Sequence, residues 1–264
     1  MIKKHKENTL LFQMHWPDST RMHYLFGTMH TSSPASLNQF ELVKKWLSHC
    51  SVFIAETDLS GPMPSFTGVW KQDLKLALGE NFYDRVASKL RQLYGIDLQM
   101  MRFTHPLHVM SFISQHMIGE MNTEALDFLL QREADRLQME TGGLETIDEQ
   151  LQILINLPES QSLLQLKKLL RNLSGTRRQL IHMDETYARG DIRKLYKMSR
   201  KGLGGHRHIH INQRNAILSK RVLNYLEPNE RSHFICCGAA HLWGEFGMLR
   251  SLKKAGLLLK PIIV

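Results

Sequence analysis

The sequence predicts an α/β fold, a central and mostly parallel β-sheet flanked by helices, with a helical insertion in the middle of the chain. Three observations predict it. Short apolar runs bounded by turn residues alternate with longer segments of helical period. Two of those runs end in the same pattern, Gly27-Thr28-Met29-His30 and Gly238-Ala239-Ala240-His241. The 264 residues are 42% hydrophobic and 22% charged, enough to bury a sizeable core. We expect one domain over 1–264, with the helical insertion at about 61–140.

Leu10–Trp16 and His23–Gly27 are apolar or aromatic runs separated by Pro17-Asp18-Ser19-Thr20, the pattern of a hairpin. A helix follows Pro34 and Ser36. Ser36 and Gln39 have capping-box spacing, and Leu37, Phe40, Val43 and Leu47 recur at helical period. Ser51–Ala55 reads as a strand that runs into Glu56-Thr57-Asp58. Gly61–Gly68, with Pro62 and Pro64, reads as a loop. From Lys71 to about Met121 the pattern is helical, with breaks at Gly79, Gly95 and Pro106.

Glu124–Glu140 is expected to be one helix, ended by Gly142-Gly143, with Leu144–Ile147 a short strand. Gln150–Arg171 reads as helix interrupted at Pro158, and Arg177–Ser199 as further helix. Gly202–Gly205 is a break before His206, His208 and His210, and Ile211–Leu226 is helical. His233–Cys237 is a strand, Glu245–Ala255 a helix stopped by Gly256, and Leu257–Val264 a last strand.

Open parallel sheets bind ligands at the carboxyl ends of their strands. His30, Glu56, Glu145 and His241 all fall at such ends. Glycine lets a chain turn sharply or approach closely as a strand ends, and a histidine three residues on then projects over the edge. Both histidines also read as ordinary loop residues from pattern alone. Glu56 and Asp58 lie two apart, the spacing of a carboxylate pair on one face. Glu56 abuts an apolar run and is the functional candidate of the two. Glu145 reads as a group that orients a histidine or as a helix cap, and Arg214 as an oxyanion-stabilising group or an exposed helix arginine.

Charge is unevenly spread. Residues 151–264 carry 20 Lys/Arg and 7 Asp/Glu, against 14 and 18 in residues 1–150. Arg189–Arg207 alone holds seven basic residues and one acid, Asp191. No nucleic-acid motif accompanies this excess, so a solvated face is expected and no nucleic-acid partner; a nucleic-acid binder would show affinity that falls steeply with salt. His206, His208 and His210 would share a face in an extended segment and could take a transition metal, but flanking glycines favour a loop reading. The three cysteines, Cys50 and the adjacent Cys236 and Cys237, form no disulfide framework. No stretch nears the roughly 20 apolar residues of a membrane span, and no secretion signal is read at the N-terminus, so a cytoplasmic protein is expected. The Gly-x-Ser-x-Gly elbow, His-Glu-x-x-His, the phosphate-binding Gly-x-x-x-x-Gly-Lys and Cys-x-x-Cys are all missing, which removes several common enzyme classes.

Leu25-Phe26-Gly27-Thr28-Met29-His30, Val52-Phe53-Ile54-Ala55-Glu56, Gly143-Leu144-Glu145-Thr146 with Gln150, Arg214-Asn215, and Gly238-Ala239-Ala240-His241-Leu242 with Gly244, Gly247 and Leu249 resemble the TraB/GumN family, which includes the Tiki proteases. The resemblance runs from about residue 22 to 264; Asp127 also stands where the family tends to place an acid. It implies a fold of the erythromycin-esterase and ChaN-like group and a metal-dependent hydrolase, with peptide bonds as substrate in the Tiki branch. Carried over, His30, Glu56 and His241 would hold a divalent metal (Mn²⁺, Co²⁺ or Zn²⁺), with Glu145 and Arg214 catalytic or supporting, and a peptide or small molecule as substrate. Two alternatives stand beside it. One is a non-catalytic binder of metal, haem or peptide, and the other a metal-independent esterase with His30 as base.

Overall fold

The computed structural model describes residues 8–58, 70, 72–118, 124–155, 158–203, 212–227 and 230–263. In chain order the elements are β1 (Leu11–His15), β2 (His23–Thr28), α1 (Pro34–Leu47), β3 (Val52–Thr57), α2 (Leu74–Leu78), α3 (Glu80–Tyr94), a 3₁₀ turn (Leu98–Met101), α4 (Pro106–Ile118), α5 (Leu126–Arg136), β4 (Glu140–Glu145), α6 (Ile147–Ile155), α7 (Glu159–Arg171), α8 (Leu173–Ala188), α9 (Ile192–Leu203), α10 (Arg214–Leu226), β5 (His233–Gly238), α11 (Ala239–Leu242), α12 (Met248–Lys254) and β6 (Leu258–Ile262). The fold is α/β, and no helix among the described residues is long and apolar enough to cross a membrane. The expected Gly61–Gly68 loop and His206, His208 and His210 lie outside the described residues.

The chain divides into two compact units. The first comprises Met1–Pro62, Glu124–Ile147 and Met183–Val264 and holds the sheet, in strand order β4-β3-β5-β2-β1-β6. β4, β3, β5 and β2 run parallel; β1 is antiparallel to both β2 and β6. The hairpin predicted at Pro17–Thr20 is the β1–β2 pair, with Leu11 opposite Phe26. β2 and β3 are buried along their whole length, as central parallel strands covered on both faces must be. Leu25, Phe53, Ile54, Phe234 and Ile235 form the middle of this core. β6 is an edge strand and tolerates Pro261 in its ladder. The second unit comprises Met63–Thr123 and Asp148–His182. Its described elements are helical and enclose a core of their own that includes Leu74, Tyr83, Leu90, Ile113 and Leu170. Arg102 pairs with Asp73, the N-cap of α2, through Nε at 2.8 Å.

Local chemistry accounts for several boundaries and overturns three expectations. Gly95, at φ 67°, is the left-handed C-cap of α3. Pro158 separates α6 from α7, as predicted. The cap of α1 is Ser33, not Ser36; its Oγ accepts from the Ser36 amide, and Pro34 opens the helix. The helix expected over Glu124–Glu140 stops at Arg136, and Gln138 takes a positive φ of 55° as the chain turns into β4. Gly142 and Gly143 therefore do not end a helix; they lie inside β4, opposite Ile54 and Ala55. Gly143 is needed there for close approach, because a Cβ at this position would stand 2.7 Å from the Asp58 Cα. The helix expected over Arg177–Ser199 is two, α8 and α9, parted at Gly190 with φ 65°.

The two glycines of β4 give a direct test. Gly143→Ala drives a methyl into backbone and should destabilise the protein by about 1–3 kcal/mol. Gly142→Ala meets only the Tyr225 hydroxyl at 3.2 Å and the Ile54 Cδ1 at 3.4 Å, side-chain ends that can give. Urea denaturation should show a clear midpoint loss for Gly143→Ala alone; equal losses would overturn this account.

Candidate functional site

Parallel pairing brings four strand ends to one edge of the first unit. Thr28 lies opposite Gly238, and Thr57 opposite Glu145. The residues just at or beyond these ends carry the chemistry. Gly27 permits the tight crossing, since a Cβ there would come within 2.7 Å of Leu242 Cδ1 and 3.1 Å of Ala239 Cα. The two Gly-x-x-His segments thus pack on each other directly.

Arg214, the first residue of α10, reaches into the middle of this edge. Its Nη2 donates to both Glu56 Oε1 and Glu145 Oε1, and its Nε donates to Glu145 Oε2 at 2.9 Å. Its Nη1 donates to His241 Nε2 at 3.3 Å. Glu56 and Glu145 are only 3% and 5% exposed, so each would be a costly isolated charge; the guanidinium is what makes both tolerable. The second Glu56 oxygen accepts from the backbone N–H of Gly238. Burial raises the Glu56 carboxyl, but Arg214, His241, His30 and the Gly238 amide together outweigh it and bring it down to about 2. Glu145, which the sequence suggested might orient a histidine, instead clamps Arg214.

The histidines are oriented by other groups. Asn215, fully buried, donates from Nδ2 to the Phe246 carbonyl at 2.7 Å. That bond fixes the amide so that Oδ1 faces His241 Nδ1 at 2.5 Å. His241 therefore donates from Nδ1 and presents its Nε2 lone pair to Arg214. On the other motif, His30 Nδ1 lies 2.7 Å from Asp127 Oδ2, an acid supplied by α5. Asp127 raises the His30 pKa to about 9, partly opposed by desolvation. Desolvation lowers His241 to about 4, opposed by Glu56. At neutral pH the site therefore holds one imidazolium and one neutral imidazole. The Asp58 amide donates to the Glu145 carbonyl at 3.1 Å. Two of these residues, Asn215 and Asp127, stand out in the sequence only through the family resemblance, and no local pattern ties either of them to a histidine.

The donor set can be compared with the metal ligands that the resemblance implied. Both imidazoles are held through Nδ1 by a side-chain oxygen, which leaves Nε2 as the ligating atom, but that of His241 already accepts from Arg214. The carboxylate does not suit ligation, because both Glu56 oxygens are engaged, one by Arg214 and one by Gly238. Among the described residues no three His, Cys, Asp or Glu side chains are gathered as a cation site. The described arrangement does not fit the three-ligand set of His30, Glu56 and His241.

Three titrations at this edge contribute to the pH dependence of stability. His241 falls from 6.5 to about 4 on folding, so its neutral form favours the fold above 6.5 and this is lost as pH drops. Glu56 falls from 4.5 to about 2, and its contribution is likewise lost toward low pH. His30 rises from 6.5 to about 9, so its contribution is full below 6.5 and is lost as pH climbs through 9. Its side chain is 56% exposed, so solvent screens this pair and the alkaline slope is shallow. Urea midpoints should peak near pH 6.5, and Asp127→Asn should flatten the fall between 6.5 and 9; an unchanged alkaline slope in that variant would refute the assignment. Arg214→Met, which strands two buried carboxylates, should cost about 3–5 kcal/mol at pH 7 by the same measurement.

A sequence model of the TraB/PrgY/gumN family matches residues 10–261. No curated protein and no solved structure matches the chain. The family match covers nearly the whole chain and takes in both Gly-x-x-His segments, Glu56, Asp127, Glu145 and Arg214-Asn215; the chain belongs to the TraB/PrgY/gumN family.

Proposed function

We propose that the chain is a hydrolase that cleaves a carbonyl bond, in a peptide or a small-molecule ester, at the strand-end edge of its sheet. The observation that carries this reading is the pair of oriented imidazoles, His30 on Asp127 and His241 on Asn215, with His241 against the clamped Arg214 and His30 within electrostatic reach of it. Paired groups whose environments push their proton affinities apart divide the roles of acid and base. His241, neutral at pH 7, exchanges its long bond from Arg214 Nη1 for one from the attacking water and takes that water's proton at Nε2. His30, protonated at pH 7 and held by Asp127, gives a proton to the leaving group. Arg214 faces the developing oxyanion with its Nη1 side, and Glu56 and Glu145 hold the guanidinium in place so that little reorganisation is needed in the reaction. A cytoplasmic setting belongs to this reading; the buried free thiols of Cys50, Cys236 and Cys237 support it.

A second reading has its own support in the Nδ1 anchoring of both imidazoles. In it, His30 and His241 would hold Mn²⁺, Co²⁺ or Zn²⁺, and both His241 and Glu56 would have to give up their bonds from Arg214. Such an ion would supply a Lewis acid for a carbonyl and for a water.

A panel of peptide and ester substrates, assayed from pH 3 to 10 with and without a chelator, separates the readings. The first expects kcat/KM to be bell-shaped, with limbs near 4 and 9, and to persist through exhaustive chelation. His241→Ala should lower kcat/KM about a hundredfold or more in a folded protein. Full activity of folded His241→Ala would end both readings, and activity abolished by chelation and restored by one of the three ions would establish the second.

A further inference from the structure

A cavity of about 540 Å³ lies between the antiparallel edge of the sheet and the helices covering it, all within the first unit. Phe12 and Pro261 are directly paired across β1 and β6, so they face the same side, as do Met14 and Leu259. Phe12, Leu259 and Pro261 form one wall of the cavity; Leu242, Trp243 and Leu249 form the other. The cavity is open to solvent on one side. It falls within the range of small-molecule sites.

The wall is held open by its own geometry. Gly244 has φ 112°, and a Cβ on it would stand 2.9 Å from Tyr196 Cε1, so the turn after Trp243 is pressed against α9. Arg193 lies over the Trp243 ring, 4.4 Å from its centroid. The indole is thereby fixed as a wall and does not fold inward.

Two cations stand at the mouth. Arg250 and Lys253 are spaced three apart on α12 and share a face, next to the buried Leu249. Both are exposed, and neither forms an ion pair among the described residues. Glu245 is the single acid on the rim, which leaves the rim with an excess of one positive charge. An apolar chamber with a cationic mouth matches a ligand with an apolar body and one anionic head.

We propose that this cavity binds a single-chain acyl carboxylate, its chain against Phe12, Leu242, Leu249 and Leu259 and its head on Arg250 and Lys253. The binding is independent of the hydrolytic reading and is measured without turnover. Sodium decanoate, kept below its micelle concentration, is titrated into the full chain by calorimetry, with Trp243→Phe used to assign the accompanying change in indole emission. Saturable one-to-one binding is expected. The exposed double charge reversal Arg250→Glu/Lys253→Glu should weaken it by about tenfold or more, equivalent to roughly 1.4 kcal/mol. Decan-1-ol should bind more weakly than decanoate by a similar factor, and Leu259→Trp, which fills the chamber from the edge strand, should abolish binding. Absence of saturable binding, equal binding by the charge-reversed protein, or equal binding of decanol and decanoate would each overturn the proposal. So would capture by anionic vesicles with no binding of the monomeric acid, since the patch would then be a membrane contact.

Discussion

Everything at the strand-end edge depends on one guanidinium. Arg214 ties three elements of the sheet unit together: α10, which carries it, β3 through Glu56 and β4 through Glu145. A lysine could not replace it, because a point charge cannot make these three directed bonds and reach His241 as well. The order of dependence follows from burial. Two carboxylates at this depth require a cation, the cation requires a fork geometry, and the fork leaves its remaining side toward His241. The position of the histidine relative to Arg214 is then a by-product of neutralising the glutamates.

The two Gly-x-x-His segments look like repeats in sequence and are not equivalent in the fold. One histidine follows β2 and is partly open to solvent; the other lies on the short helix after β5 and is buried. One is paired with a carboxylate and the other with an amide. Replacing a charged partner by a neutral one, with burial added, separates the proton affinities of two chemically identical rings by several units. One residue type thus stands at this edge in two protonation states at neutral pH, an imidazolium and a neutral imidazole.

Much of this was legible in the sequence, and the illegible part has a common cause. Central strands announce themselves as apolar runs because both faces are buried, so β2, β3 and β5 were read correctly. The Gly-x-x-His segments and Glu56 stood out because they follow those runs. Gly142 and Gly143 misled, because the local preference of a glycine pair for breaks is overridden when a strand must pass close to the chain at Asp58. Ser33 and Ser36 are equivalent cap candidates until the start of α1 is known. Asn215 and Asp127 were not readable as histidine partners from pattern, since such roles depend on distances between residues 26 and 97 positions apart. Glu145 showed its place at the edge and not its partner, for the same reason.

The strand order has a consequence for how the chain is made. β2 pairs with β1 on one side, its near neighbour in sequence, and with β5 on the other. The buried contact between His23 and His233 at the start of those two strands spans 210 positions. During synthesis one edge of β2 therefore stays unpaired until His233–Gly238 has emerged, and β3 likewise waits for β4 and β5. Such edges template association with other chains, and long-range pairing is slow. The site is assembled from the same late pairings and is complete only once β5 has joined the sheet.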